Sequence, residues 1–349
     1  MAEQSKIEWT DATWNPITGC TLVSEGCRHC YAATLAATRL KNHPSRKGLA
    51  RINAAGEAKF TGEVRLNEQW LDQPLRWKRP RMIFVCAHGD LFHESVPDEW
   101  IDRVFAVMAL ASQHTFQVLT KRPERARDYL MGFNCDGARR FNVARKAGDI
   151  GADEAYAKAS NRPWPLPNVW LGTSIEDQAT ADARIPHLLA TPAAIRFVSA
   201  EPLLGPVDLG KANGLPVYWE GDASEGPIPV SSWGRPIGQR DRRGWVKHSG
   251  NMQPWLDWII VGGESGPKAR PMHPEWARSL RDQCKAAGVA FFFKQWGEWE
   301  ADQIGPEDAR SGQHPPGHVI FRKVGKSAAG RLLGGREWNE VPTTRTGKA

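Results

Sequence analysis

The sequence predicts a parallel α/β fold, a partial or closed parallel (β/α) barrel, from three observations. Six short runs are almost continuously apolar, as strands covered on both faces are. Each run ends in a small or polar residue, and segments with apolar residues at three- and four-residue spacing follow most of them. In order the runs are "RMIFVCAHGD" (81–90), "TFQVLTKRP" (115–123), "NVWLGTSIED" (168–177), "AIRFVSAEP" (194–202), "LDWIIVGGESG" (256–266) and "GVAFFFKQWG" (288–297). Helices are expected after Tyr31 and at "PDEWIDRVFAVMALASQ" (97–113), "DQATADARIPHLLA" (177–190) and "HPEWARSLRDQCKAAG" (273–288), where acids open the segment or apolar residues keep helical spacing. Six or seven βα units in succession favour a barrel, with a doubly wound open sheet as the alternative. "EVRL" (63–66) reads as one further short strand.

The barrel is expected over residues 1–302, interrupted by loop-like, lid-like insertions near 41–80, 132–167 and 210–255, with 303–349 as a basic C-terminal extension. Insertions that leave the carboxyl ends of barrel strands wall the substrate mouth. These carry Arg46, Lys47 and Arg51, then Arg139, Arg140, Arg145 and Lys146, then Arg240, Arg242 and Arg243 with Trp233 and Trp245. If the three insertions converge, their cations can neutralise phosphates and their tryptophans can stack on bases. A solvated basic surface is the alternative.

A chain of 349 residues can bury a substantial core. Hydrophobic residues at 41% and charged residues at 24% match globular usage, so disorder is not the default. The formal charge of +7 favours an acidic partner such as nucleic acid. The N-terminal "MAEQSKIEWTDATW" lacks the apolar stretch of a secretory signal, and no run approaches the roughly 18 apolar residues of a membrane span. A cytoplasmic protein without a membrane partner is therefore expected. In that compartment disulfides are disfavoured, and clustered cysteines point to metal or redox chemistry.

Three of the six cysteines, Cys20, Cys27 and Cys30, form C-x6-C-x2-C in a loop that runs into a helix. Three thiolates can hold three irons of a [4Fe-4S] cluster and leave the fourth iron open to a small ligand. A structural zinc site closes with four protein ligands, so zinc requires a distant fourth from Cys86, Cys135, Cys284 or a histidine. Cys86, in an apolar run, and Cys284, on an apolar helical stripe, are expected to pack as small hydrophobes.

Together with these cysteines, "TWNPITGC", "GCRHCYA", "GDLFHE", "LTKRPER", "GTSIED", "SAEPLLG", "GGESG" and "VGKSAAGRLLGGREWNEVP" resemble a phage- and prophage-associated three-cysteine family related to the radical S-adenosylmethionine (radical SAM) superfamily. The resemblance covers nearly the whole chain, although the superfamily spacing is C-x3-C-x2-C. It implies a TIM-like radical SAM architecture, with a [4Fe-4S] cluster on Cys20, Cys27 and Cys30. It further implies S-adenosyl-L-methionine chelated by the open iron and an external electron donor. His29, just before the last cysteine, takes the place of a residue that lies against the adenine; its alternative is an exposed loop histidine. Gly89 and Asp90 take the place of a turn that binds the amino group of the cofactor, against the alternative of a plain turn.

Other polar residues fall at strand ends, where barrel sites lie. Thr173, Ser174 and Glu176 can bond the cofactor or cap the next helix. Glu201, Glu264 and Lys294 are the expected catalytic residues, the two acids orienting substrate or exchanging protons. Lys121, Arg122 and Lys294 can hold a carboxylate or phosphate, or neutralise Asp90, Glu201 and Glu264 in a structural network. The expected activity is reductive cleavage of S-adenosylmethionine to a 5′-deoxyadenosyl radical that modifies or repairs a substrate, with nucleic acid or nucleotide as the substrate class. The alternative is a non-catalytic, metal-stabilised nucleic-acid-binding protein. Metal analysis with a test of S-adenosylmethionine binding separates the two.

Overall fold

Seven strands of the computed structural model, which describes residues 5–135, 137–212, 217–219, 228–230, 245–248, 251–303 and 319–342, form one all-parallel sheet. They are β1 (Ala12–Trp14), β2 (Met82–Val85), β3 (Thr115–Thr120), β4 (Val169–Ile175), β5 (Ile195–Ala200), β6 (Trp258–Gly262) and β7 (Ala290–Gln295). Neighbours in the sheet are neighbours in the chain throughout. A doubly wound sheet reverses its strand order at a switch point. This sheet has no reversal, so the doubly wound alternative falls, and a partial β/α barrel stands.

The described α-helices of seven or more residues are α1 (Tyr31–Ala37), α2 (Asp98–Leu110), α3 (Pro123–Cys135), α4 (Ala138–Ser160), α5 (Gln178–Ala190) and α6 (Pro274–Ala287). Local chemistry sets their ends. Asp177 and Thr180 close a capping box at the start of α5. His273 caps α6 ahead of Pro274, and Gly288, at φ 62°, ends it in the left-handed conformation that suits glycine. None of the described helices is long and apolar enough to cross a membrane.

The strands read as continuously apolar because both faces are buried, in two separate cores. Ile83 and Val85 of β2, and Ile259 and Val261 of β6, pack outward beneath the helices. Phe84, Trp170, Phe197, Trp258 and Phe292 point inward and surround Trp9. The Trp9 ring lies 4.8 Å from Phe84, 6.3 Å from Phe197 and 6.2 Å from Trp258. One side chain thus meets β2, β5 and β6 at once, which a flat sheet does not permit. The free edge of β7 is covered by the C-terminal segment, where Phe293 donates to the Trp338 carbonyl and Glu340 to that of Phe291. An unpaired edge invites aggregation, and this contact removes it. The described part of the expected C-terminal extension is therefore packed on the barrel.

Four expectations are corrected or refined. The strand β1 is missing from the apolar runs because only three residues of "TDATWNP" join the sheet. "EVRL" supplies Arg65–Leu66, which pairs antiparallel with Ile17–Thr18 outside the main sheet. The insertion near 132–167 is not loop-like: α4 runs 23 residues with a kink at Gly151 and Ala152, and packs on α2. There Arg139 pairs with Asp98 and Asp102, and Lys146 with Glu99, so these cations brace helices and do not line a mouth. Arg240, Arg242, Arg243 and Trp233 lie outside the described residues, as does the side chain of Trp245.

Inside the barrel, Gly172 on β4 leaves the space that Phe197 fills; a Cβ there would stand 2.5 Å from the ring. Gly172→Ala is expected to destabilise the fold by about 1–3 kcal/mol through overpacking, read as a lowered urea midpoint with an unchanged slope. Adding Phe197→Leu should recover part of the loss. Wild-type stability for Gly172→Ala alone would show that the interior is looser than described.

Candidate functional site

The inward-facing layers change character along the barrel. Below lie Trp170, Trp258 and Phe197; above them Ser174, Ser199, Glu201 and Lys294 open into a cavity of about 420 Å³ at the carboxyl ends of the strands. That volume falls within the roughly 300–1,000 Å³ of small-molecule sites. Cys20, Cys27 and Cys30 line the same cavity, with His29, Gly89, Asp90, Lys121, Arg122 and Glu264 around them. Trp9, Phe84 and Leu119 form its apolar floor.

No residue from Cys20 to Cys30 is buried, so hydrophobic burial does not hold this loop in place. Polar clamps do. Ser24 donates to Glu176 at 3.0 Å, and Arg270 donates to the Glu25 carbonyl at 3.0 Å. The His29 ring meets Glu264 at 3.2 Å. Arg122 donates to Thr21 at 2.6 Å and to the Cys20 sulfur at 3.6 Å. Two glycines permit close seating: a Cβ on Gly26 would stand 2.4 Å from Glu176, and one on Gly89 would stand 3.0 Å from the Gly19 carbonyl.

The strand-end acids are committed to the chain to different degrees. Asp90 is buried, and its carboxylate accepts from the Phe92 and Lys121 amides, the Thr120 hydroxyl and Arg122. Asp90 lines the cavity and anchors Arg122, and through it Cys20. Gly89 lines the cavity, and its missing side chain serves the approach of the cysteine loop. Glu176 takes Lys121, Arg184 and Ser24 and is not on the cavity wall. Thr173 turns to the Thr120 carbonyl at 2.9 Å, and only Ser174 of that trio lines the cavity. Glu264 is held by Arg270 through three bonds of 2.7–2.9 Å. Glu201 differs from these: its described partner is Lys294 alone, and both line the cavity. Gly262 leaves room for it, since a Cβ there would stand 3.2 Å from the Glu201 carboxylate.

Of the expected structural network, Arg122 pairs with Asp90 and Lys294 with Glu201, whereas Lys121 pairs with Glu176 and Arg270, not a strand-end cation, neutralises Glu264. Arg270 was not legible because it lies in the loop before α6, six residues from its partner. Arg184, about two turns into α5 beyond the Asp177 cap, and Trp9 were also missed. Cys86, expected inside a strand, lies just past β2 at φ 58° and reaches the cavity wall. Such strain in a non-glycine residue is uncommon outside sites where the surroundings enforce it.

Cys20, Cys27 and Cys30 are free thiols, each half-buried and facing one space. Burial, with Asp90 nearby, pushes the Cys20 thiol up to about 12, while Arg122 pulls the other way. Burial likewise raises Cys30. A metal must therefore displace protons from these sulfurs, as thiolate ligation does generally. Among the described residues no three His, Cys, Asp or Glu side chains group tightly enough for one metal ion. Three free thiols lining one cavity are a donor set that thiolate-ligated iron can use, each sulfur taking one iron of a cubane.

Burial alone would raise the Glu264 carboxyl, but Arg270 and His29 outweigh it and hold the group below the usual carboxylate range. A lowered folded value contributes stability above the unfolded pKa, lost as pH falls through the folded one. Glu264→Gln should cost about 1–3 kcal/mol at neutral pH, the scale of hydrogen bonds to a charged group. In denaturation curves across acid pH, the gap to wild type should close as pH drops below the carboxylate range. A constant gap would mean that the charge is not what holds Arg270.

No curated protein and no solved structure matches the chain. Over residues 4–342 the sequence matches the family described as "Protein of unknown function (DUF5131)", and the chain belongs to that family.

Proposed function

We propose that the chain is an iron–sulfur enzyme in which Cys20, Cys27 and Cys30 hold a [4Fe-4S] cluster and S-adenosylmethionine occupies the adjoining cavity. One observation carries the reading: the three thiols of C-x6-C-x2-C line the same cavity as the strand-end groups of a parallel β/α sheet. With an electron from an external donor, a bound cluster of this kind supplies reductive cleavage of S-adenosylmethionine to methionine and a 5′-deoxyadenosyl radical.

The chain's own residues orient and shield. His29, fixed by Glu264, presents its ring to the cavity beside the last two cysteines. Trp9, Phe84 and Leu119 keep water from the floor, and Phe60 of the hairpin Ala50–Phe60 closes one side. Exclusion of water protects a reactive species from side reactions. For proton exchange with a substrate, the Glu201–Lys294 pair is the best placed: both groups face the cavity, and Glu201 is the least committed of the strand-end acids.

Anaerobic reconstitution tests the proposal. The protein should turn brown and carry about four irons and four sulfides per chain, and with dithionite it should convert S-adenosylmethionine to 5′-deoxyadenosine. Cys20→Ala, Cys27→Ala and Cys30→Ala should each lose the cluster, while Cys284→Ala keeps it. Asp90→Ala should lower iron content as well as cofactor affinity, because Arg122 and Cys20 depend on it. Glu201→Gln should keep the cluster. Stoichiometric zinc with no reconstitutable iron would sink the assignment.

A further inference from the structure

The cavity wall made by Tyr31 and Cys86 adjoins a buried arginine that lacks a counter-charge. Arg46 is only 4% exposed. One of its terminal nitrogens donates to the Ser45 carbonyl at 3.3 Å and to the Ser45 hydroxyl at 2.6 Å. Its Nε is buried without a partner, and no carboxylate pairs with it among the described residues. The contrast with Arg122, Arg184 and Arg270 is direct, since each of those meets at least one carboxylate. An unpaired buried charge is among the costliest arrangements a fold can hold.

Deprotonation does not relieve it. Burial pushes the Arg46 guanidinium down to about 10, which still leaves it charged at neutral pH. The ionisable groups that act on it are Cys86, pushed up to about 12 by burial, and Tyr31, raised by burial as well. Both are neutral at pH 7, so neither supplies the missing charge. His88 stands against Tyr31, with ring centroids 5.9 Å apart, and its buried Nδ1 also lacks a partner. Burial and Arg46 push this imidazole down to about 4, so it is a neutral ring with a hydrogen-bonding position to fill.

We propose that Arg46 and His88 form a buried subsite for a small oxyanion, carboxylate or phosphate, behind the cavity wall made by Tyr31 and Cys86. The guanidinium fork suits either oxyanion through paired N–H bonds, and a neutral imidazole can donate one more. Ser45 is held for this by Thr18, whose hydroxyl donates to its carbonyl at 2.7 Å. The subsite stands on the unpaired groups themselves and not on the presence of a cluster.

The full-length protein is melted in inorganic phosphate, in acetate and in chloride of equal ionic strength. Phosphate or acetate should raise the wild-type melting temperature beyond chloride; a response to one alone identifies the oxyanion, and a response to both supports the shared site. Phosphate also stabilises folds non-specifically, so the variants decide. Arg46→Met should melt at or above wild type in anion-free buffer, because an unpaired charge has been removed, and should lose the specific response. Arg46→Lys should keep the response with affinity weakened about tenfold, as a point charge replaces a fork. Equal responses in wild type and Arg46→Met overturn the site. So does a destabilised Arg46→Met with no specific anion effect on wild type, which would mean that Ser45 and water satisfy the arginine. Should Arg46→Met not fold, wild-type affinity for both anions in Arg46→Lys overturns it equally.

Discussion

The mouth of this barrel depends on how a loop with no buried residue is held in one place. Three carboxylates do it, rising from the ends of alternate strands. Asp90, after β2, reaches the loop through Arg122. Glu176, after β4, takes Ser24 directly, and Glu264, after β6, takes His29 while Arg270 reaches back to Glu25. The loop is thus gripped near both ends and in the middle. Each clamp couples a loop position to the sheet through charge-assisted hydrogen bonds, which are roughly twice as strong as neutral ones. Loss of one clamp leaves a buried charge without its partner, so the arrangement penalises partial docking more than its net stability suggests.

Sheet curvature supplies the other half of the geometry. Strand ends converge only because the inward face closes on Trp9, and that closure needs Gly172 to admit Phe197 and Gly262 to admit Glu201. The aromatic floor then fixes the depth at which polar groups begin. Lys294 and Ser199 come from the same strands as Phe292 and Phe197, two residues further on, so the period of two along each strand sets the change from floor to wall.

Much of this was legible in the sequence, for a physical reason. Parallel strands buried on both faces announce themselves as apolar runs, and an acid near the end of four of the six runs marks its carboxyl end. What those acids do was less legible. Asp90 and Glu264 are equally suggestive in sequence, yet their oxygens are taken by donors brought near only by folding, Arg270 among them. α4 escaped because its buried stripe consists of Val143, Ala144, Ala147, Ala155 and Ala159, small residues that leave a weak apolar signal. β1 escaped through brevity. The close approaches that Gly26, Gly172 and Gly262 admit are tertiary information.

The pairing of charges also narrows how a ligand can be recognised. Among the described residues at the mouth, Asp90, Glu176 and Glu264 each satisfy several donors, so a ligand that displaced any of them would loosen the cysteine loop. Recognition through these acids and retention of the loop are therefore opposed. Groups whose engagement leaves the clamps intact are the serines Ser174 and Ser199, the half-buried sulfurs, the Glu201–Lys294 pair and the unpaired Arg46. The first three line the cavity, whereas Arg46 lies outside its lining, near Tyr31 and Cys86, so an anion held by Arg46 and a ligand held by the inner wall occupy separate places and neither has to displace a clamp.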